Sequence, residues 1–265
     1  MSRDPEHPGS GSSDHADSAG RPWAGRHFDA APSASDDGSA DPALAAALTA
    51  FRRGVVGQEA VADAVRTSRL LIPLVAHAGE IGLDDHGRLL DKTQELSIVT
   101  VAAPDGRSVL PAFTSVATMS AWNPLARPVP ADGARVALAA ASEQTELVVL
   151  DPTSDTEFVL RRPAVWAIGQ QEPWRPSFED PEVAVAFERS IARELAVLAV
   201  RLEPGDPQAR LAGPELVVLL ELAVGLTQTE LDAVLARLAA RWAADDVVAT
   251  RVDSLTVRLL TSGAA

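Results

Sequence analysis

The chain has no cysteine and no tyrosine in its 265 residues, and its single lysine is Lys92. Without thiols there are no disulfides, no thiolate metal sites and no cysteine nucleophile. Aromatic residues make up only 4% of a chain that is 46% hydrophobic, so a core must be built mainly from Ala, Val and Leu. Nearly all positive charge is arginine, as in the GC-rich coding of an actinobacterial-like composition. Phosphate-cradling patterns are missing: there is no G-x-x-x-x-G-K and no G-x-G-x-x-G. No G-x-S-x-G nucleophile turn occurs. Residues 1–25 hold no apolar signal-like stretch, and the longest apolar run, Leu216–Leu226, is broken by Glu221. Neither a secretory signal nor a membrane span is expected, and the default location is cytoplasmic.

Charge is one-sided. The net value of −14 opposes binding to polyanions, and the densest basic pairs, Arg52-Arg53 and Arg161-Arg162, are too small to reverse it. Neither nucleic acid nor a membrane is an expected partner. No metal and no cofactor is expected either. His7, His15 and His27 are too far apart to preform a site. Asp84, Asp85, His86 and Asp91 lack the alternating oxygen ligands and terminal Glu of a calcium loop.

Residues 1–40 are Ser, Gly, Ala, Asp and Pro with few aliphatics, and read as a disordered acidic tail. Order is expected from Asp41-Pro42, a helix cap followed by a favoured first helical residue. A first module is predicted over 41–168, a linker over 169–179 and a second module over 180–262. In the first, helices are expected near 42–53 and 58–68. Arg69–Ala76 reads as a strand, with Pro73 pointing to a sheet edge or bulge. His77–Glu95 reads as a long connection. Ile98–Ala102 and Arg107–Phe113 read as a hairpin around Ala103-Pro104-Asp105-Gly106. A short helix follows at Ser115–Trp122, then extended Arg127–Pro130, a helix at Gly133–Ser142, a covered strand at Leu147–Leu150, a strand at Glu157–Leu160 and a helix at Arg162–Ile168. In the second module a helix from Asp180-Pro181 precedes strands at 196–202 and 215–223. Thr227-Gln228-Thr229-Glu230 is a capping box for a helix with a Leu/Val/Trp stripe. Val247–Val252 and Leu255–Leu260 read as a closing hairpin. The fold class is α+β: two consecutive modules, each a small mixed or antiparallel sheet packed with helices.

The strand LLIPLVA at 70–76, the turn residues DGR at 105–107, PAFTS at 111–115, Trp122 and VVLDP at 148–152 resemble, in order and spacing, the N-terminal domain of the SseB family. The resemblance spans roughly Pro42–Ile168, and the second module is similar in outline to the family's C-terminal domain. It implies a soluble bacterial α+β protein with no catalytic residues to carry over.

The function expected from these features is a non-enzymatic interaction or regulatory module whose partner is another protein. The candidate docking face is Pro111, Phe113, Thr114, Ser115 and Trp122 with the extended stretch from Arg127. Alternatively, Phe113 and Trp122 fill the core and Thr114 or Ser115 caps the helix. A rival reading is a small-metabolite sensor with a pocket between the modules, lined by Trp166, Trp174 and linker polar groups. A hydrolase or transferase is the third.

Overall fold

Helix α1 (Pro42–Arg52) begins as its first residues dictate: the Asp41 carboxylate accepts from the backbone of Ala43 and Leu44, and Pro42 takes the first helical position. The computed structural model describes residues 36–76, 82–83, 89–90, 96–103, 106–143 and 145–261. Most of the expected tail, all five histidines and the acidic residues Asp84, Asp85 and Asp91 lie outside them. Residues 36–40, part of the expected tail, are among those described. The Gly38 carbonyl accepts from Val116, and the Ser39 carbonyl from Arg69.

From Gly38 onward the chain is one compact unit. After α1 come α2 (Gln58–Thr67), β1 (Arg69–Ala76), β2 (Gly82–Leu83), β3 (Leu89–Leu90), β4 (Leu96–Ile98), β5 (Val101–Ala102) and β6 (Ser108–Ala112). Then α3 (Val116–Trp122), β7 (Arg127–Asp132), α4 (Gly133–Ser142), β8 (Val148–Leu150), β9 (Phe158–Leu160) and α5 (Arg162–Gly169) follow. The remainder is α6 (Pro181–Ile191), β10 (Val197–Pro204), β11 (Leu216–Leu222), α7 (Gln228–Ala243), α8 (Asp246–Arg251) and β12 (Leu255–Thr261). Helices pack on an antiparallel sheet ordered β4-β1-β7 and on mixed sheets ordered β5-β6-β8-β9 and β10-β11-β12, the α+β class expected.

Four local expectations are corrected. β1 is central in its sheet although it contains Pro73. Leu71 exchanges both backbone hydrogen bonds with Phe113, on the side away from β7. By strand alternation Pro73 faces the same way, in the interval before the β4 pairing starts at Leu74. Its missing N–H therefore removes no ladder bond. Opposite, Pro128 and Pro130 pair with Pro73 and Leu71, so their missing donors face away from β1 as well. Next, Ile98–Ala102 is not one strand: β4 pairs with β1 while β5 pairs with β6, so the chain changes sheets at 99–100. The long connection contains the small ladder of β2 and β3. Finally, Val247–Val252 is mostly helix α8, because Asp245 accepts from the backbone of Val247 and Val248 and starts a helical turn. β12 then pairs parallel to β11 across the α7–α8 crossover, and no closing hairpin exists.

β8 is covered on both faces. Leu110, Ala112, Val148, Leu150, Phe158 and Leu160 face a core shared with α1, α2, α4 and α5. On the other face Val109, Val149 and Val159 meet Leu211. Leu211 belongs to the loop after β10, which folds back onto the first sheet. There the Ala209 carbonyl accepts from Val159 (2.8 Å) and closes the β9 edge. Asp206 holds this loop by accepting from the backbone of Arg210 and Leu211. A separate core joins α6, α7 and α8 to the last sheet, with the α7 stripe Val234, Leu238 and Trp242 buried in it.

Residues 36–170 alone lack the loop that covers Val149 and Val159. They are expected to bind a hydrophobic dye and to unfold without a cooperative calorimetric transition, whereas 36–265 gives one. A cooperative transition from 36–170 would refute the dependence.

Candidate functional site

The expected docking face is largely interior. Pro111, Phe113, Thr114 and Ser115 are buried, Phe113 completely. Phe113 is enclosed because β6 runs on into the backbone bridge with β1, which aims the ring between β1 and α3. It packs there against Leu71, Met119 and half-buried Trp122, with the two rings 5.3 Å apart. Ser115 caps α3 in a capping box with Thr118. Of the six, only Arg127, on the outer strand β7, is exposed. A contiguous docking surface from these six residues is therefore corrected to a core wedge with a helix cap.

Two separated parts of the sequence meet at this wedge. β6 and β8 run parallel, and beyond their C-terminal ends sit Thr114 and Asp151. The buried Asp151 carboxylate accepts from Thr114 N (2.8 Å), Thr114 Oγ1 (2.7 Å) and Thr118 Oγ1 (2.7 Å). Its backbone takes φ +43°, a left-handed conformation that Asp tolerates better than most residues. This arrangement locks the α3 start to the end of β8.

A second polar cluster joins the halves of the chain. Arg161, 5% exposed, donates to Asp206 (2.7 Å), Asp253 (3.1 Å), the Gly213 carbonyl (2.8 Å) and Ser254 Oγ (3.3 Å). Arg107 adds two bonds to the same Asp253 carboxylate. Burial alone pushes the Asp253 carboxyl up, but the hydrogen bond and charge of Arg107, with the charge of Arg161, outweigh it and hold the group below its ordinary range. Beside it, Glu215 accepts from the Asp253 backbone through Oε2 (2.6 Å), while Oε1 is buried without a hydrogen-bond partner. Burial pushes this carboxyl above the usual glutamate range.

A surface cleft lies elsewhere, between α5, the segment 170–175, the start of α6 and α8. It is a cleft of about 550 Å³ lined by Trp166, Trp174, Arg175, Asp180, Pro181 and Arg251 among others. Trp166 is 39% exposed, an unusual position for a large aromatic side chain. The Arg162 guanidinium stacks 5.0 Å from the Trp166 ring and is itself tied to the Ala249 and Val252 carbonyls, so α8 orients the indole through α5. Trp174 Nε1 is buried without an acceptor. Arg251 pairs with Asp180 (2.8 Å) and Glu182 (2.9 Å). A second depression, about 320 Å³, shares Pro181 and Glu182 with the first and continues to Val185, Arg189 and Val247. Pro181 and Glu182 thus line both depressions.

Trp166 and Trp174 are the tryptophans that sequence reasoning placed on a pocket. Glu182, Val185, Val247 and Arg251 were not anticipated. Composition alone puts Val247 and Arg251 on a strand, whereas the acidic cap Asp245 assigns them to a helix. Among the described residues no group of three or more His, Asp or Glu is placed to hold a metal ion. Also among them, no helix is long and apolar enough to cross a membrane.

Residues 44–167 match the model of a protein family described as the SseB protein N-terminal domain. No curated protein and no solved structure matches the chain.

Two outcomes follow from the polar clusters. Asp151→Ala strands one buried N–H and two hydroxyls and is expected to cost about 3 kcal/mol, from roughly 1–3 kcal/mol per stranded group with partial relaxation. Asp151→Asn keeps an acceptor and tolerates positive φ, so it costs less; equal losses in denaturant titrations would contradict the lock. Glu215 has a folded pKa above its unfolded value, so its contribution is fully present below the unfolded pKa and is lost as pH rises through the folded one. Glu215→Gln is therefore expected to raise the melting temperature at pH 8, with the gain shrinking as pH falls below the ordinary glutamate range. A gain that is the same at all pH values would contradict this origin.

Proposed function

Since the chain belongs to the SseB family through its N-terminal domain, we propose that it is a non-enzymatic interaction module of the bacterial cytoplasm, and that it binds a partner protein in the groove between α5, α6 and α8. The observation that carries this reading is the bipartite shape: two depressions of about 550 and 320 Å³ meeting at Pro181 and Glu182. An extended segment places successive side chains in successive depressions, which a compact metabolite does not. Exposed Trp166 and Val185 stand one in each half. Tryptophan is prominent among residues whose truncation costs most at protein interfaces. The large acidic net charge keeps the chain soluble and steers basic partners toward it.

The sensor reading keeps one specific support. The larger depression falls within the roughly 300–1,000 Å³ typical of small-ligand sites. The two readings share Trp166 and differ in what occupies the groove.

Affinity capture from the native lysate with the full chain, Trp166→Ala and Arg127→Ala separates them. A protein retained by the wild type and by Arg127→Ala, and lost with Trp166→Ala, is expected. Because Trp166 is over a third exposed, its truncation is expected to move the melting temperature by only a few degrees. A partner still retained by Trp166→Ala would overturn the groove assignment. A small molecule in place of a protein would favour the sensor.

A further inference from the structure

A sheet edge is a row of unpaired backbone groups, and folded proteins blunt the edges that must stay free. This fold blunts nearly all of its own. On β7, Pro128 and Pro130 occupy positions whose backbone faces away from β1. The β9 edge is closed by the Ala209 carbonyl, which accepts from Val159. β4 and β5 are only three and two residues long. β10 is protected in several ways. Gly205 donates to the Glu215 carbonyl, so by alternation Val200, Leu202 and Pro204 turn their backbones outward, and Pro204 has no N–H to offer. A bulge interrupts the strand between Val197 and Ala199, and the exposed charges Arg201 and Glu203 alternate with its outward positions.

β12 has neither proline nor bulge. It runs for seven residues, LTVRLLT, and among the described residues it pairs with β11 alone. Leu216 donates to the Ser254 carbonyl, which sets the parallel ladder. Thr256, Arg258 and Leu260 turn their backbones to β11, and Leu255, Val257 and Leu259 turn theirs outward. Leu255 and Val257 reach the helix-side core, while Leu259, next along that face, is 43% exposed. We infer that a second copy of this chain pairs with this edge, β12 against β12 about a two-fold axis, so that two three-stranded sheets become one continuous sheet.

The occupant is a second copy because the edge is complementary to itself. A two-fold axis sets the two strands antiparallel and uses the same surface of each copy. Centred on Arg258, the pairing opposes the two Arg258 side chains, which is destabilising. Centred on Leu259, it sets Arg258 against apolar Leu260. Centred on Val257, it sets Arg258 of each copy against Thr256 of the other, both exposed on the face away from the helices. In that register Leu255 of one copy opposes Leu259 of the other, and Val257 opposes Val257. The exposed leucine is then covered by an apolar side chain, and each of these pairs exchanges both backbone hydrogen bonds. No residue of β12 lines either depression of the groove, so pairing here and binding there are separate properties.

The test is gel filtration of the full chain with light scattering, over micromolar to millimolar concentrations. Each copy carries a net charge of −14, so physiological ionic strength is used to screen the repulsion. A mass twice that of one chain is expected, and hydrogen exchange at the Val257 and Leu259 amides is expected to slow as the dimer fills. Thr256→Arg, on the exposed face, sets arginine against arginine and is expected to weaken the dimer about fivefold. Adding Arg258→Glu to it restores opposite charges and is expected to recover the affinity. Leu259→Arg is expected to give a monomer with unchanged circular dichroism, whereas Leu198→Arg, at the exposed bulge of β10, leaves the dimer intact. A monomer at every concentration overturns the inference. So does a dimer whose Val257 and Leu259 amides exchange no more slowly, one that Thr256→Arg and Leu259→Arg leave unchanged, one that Arg258→Glu fails to rescue, or one lost with Leu198→Arg.

Discussion

Arg161 sits at the N-cap of α5 with its guanidinium almost wholly removed from solvent, shared among Asp206, Asp253, Ser254 and the Gly213 carbonyl. A buried cation is costly unless its donors are met, and a partly met one is worse than none. Each partner it recruits comes from the C-terminal half of the chain. Asp206 holds the loop that carries Ala209 and Leu211 onto the first sheet, and Asp253 leads into β12. The same residue thus couples cover of β8 and β9 to placement of the last strand.

That coupling also builds the groove. Arg162, the neighbour of Arg161, spans from α5 to the carbonyls at the end of α8 and stacks on Trp166. Arg251 reaches from α8 to the α6 cap, Asp180. Two arginines therefore clamp three helices, and the exposed indole stands on the clamped surface. Rigidity here has a physical purpose: a preorganised wall loses little conformational freedom when a segment binds.

The family-bearing motifs read differently in three dimensions than along the chain. FTS reads along the chain as part of a docking face, yet Thr114 and Thr118 donate to the buried carboxylate of Asp151. Asp151 serves as acceptor for the turn that starts α3, and its positive φ follows from holding that position. What matches the family over residues 44–167 is in this respect a folding device.

Sequence alone determined the elements whose signals are local. Asp41-Pro42, Asp180-Pro181 and the Thr227/Glu230 capping box mark helix starts because a cap is completed within four residues. The continuous apolar run Leu147–Leu150 marked a strand covered on both faces, observed at Val148–Leu150. Trp166, on the predicted helix at Arg162–Ile168, and Trp174, in the polar linker, were legible as large aromatics flanking one boundary. Tertiary structure alone decided the rest. Pro73 occupies a central strand because of where its neighbours' hydrogen bonds point. Val247–Val252, β-branched and strand-like by composition, is held mostly as helix by the preceding Asp245 and by burial of Val248. Whether Phe113 or Trp166 met solvent depended on packing partners dozens of residues away. Local preference amounts to a few tenths of a kcal/mol per residue, and burial of a large side chain to roughly 2 kcal/mol, so long-range packing overrides it.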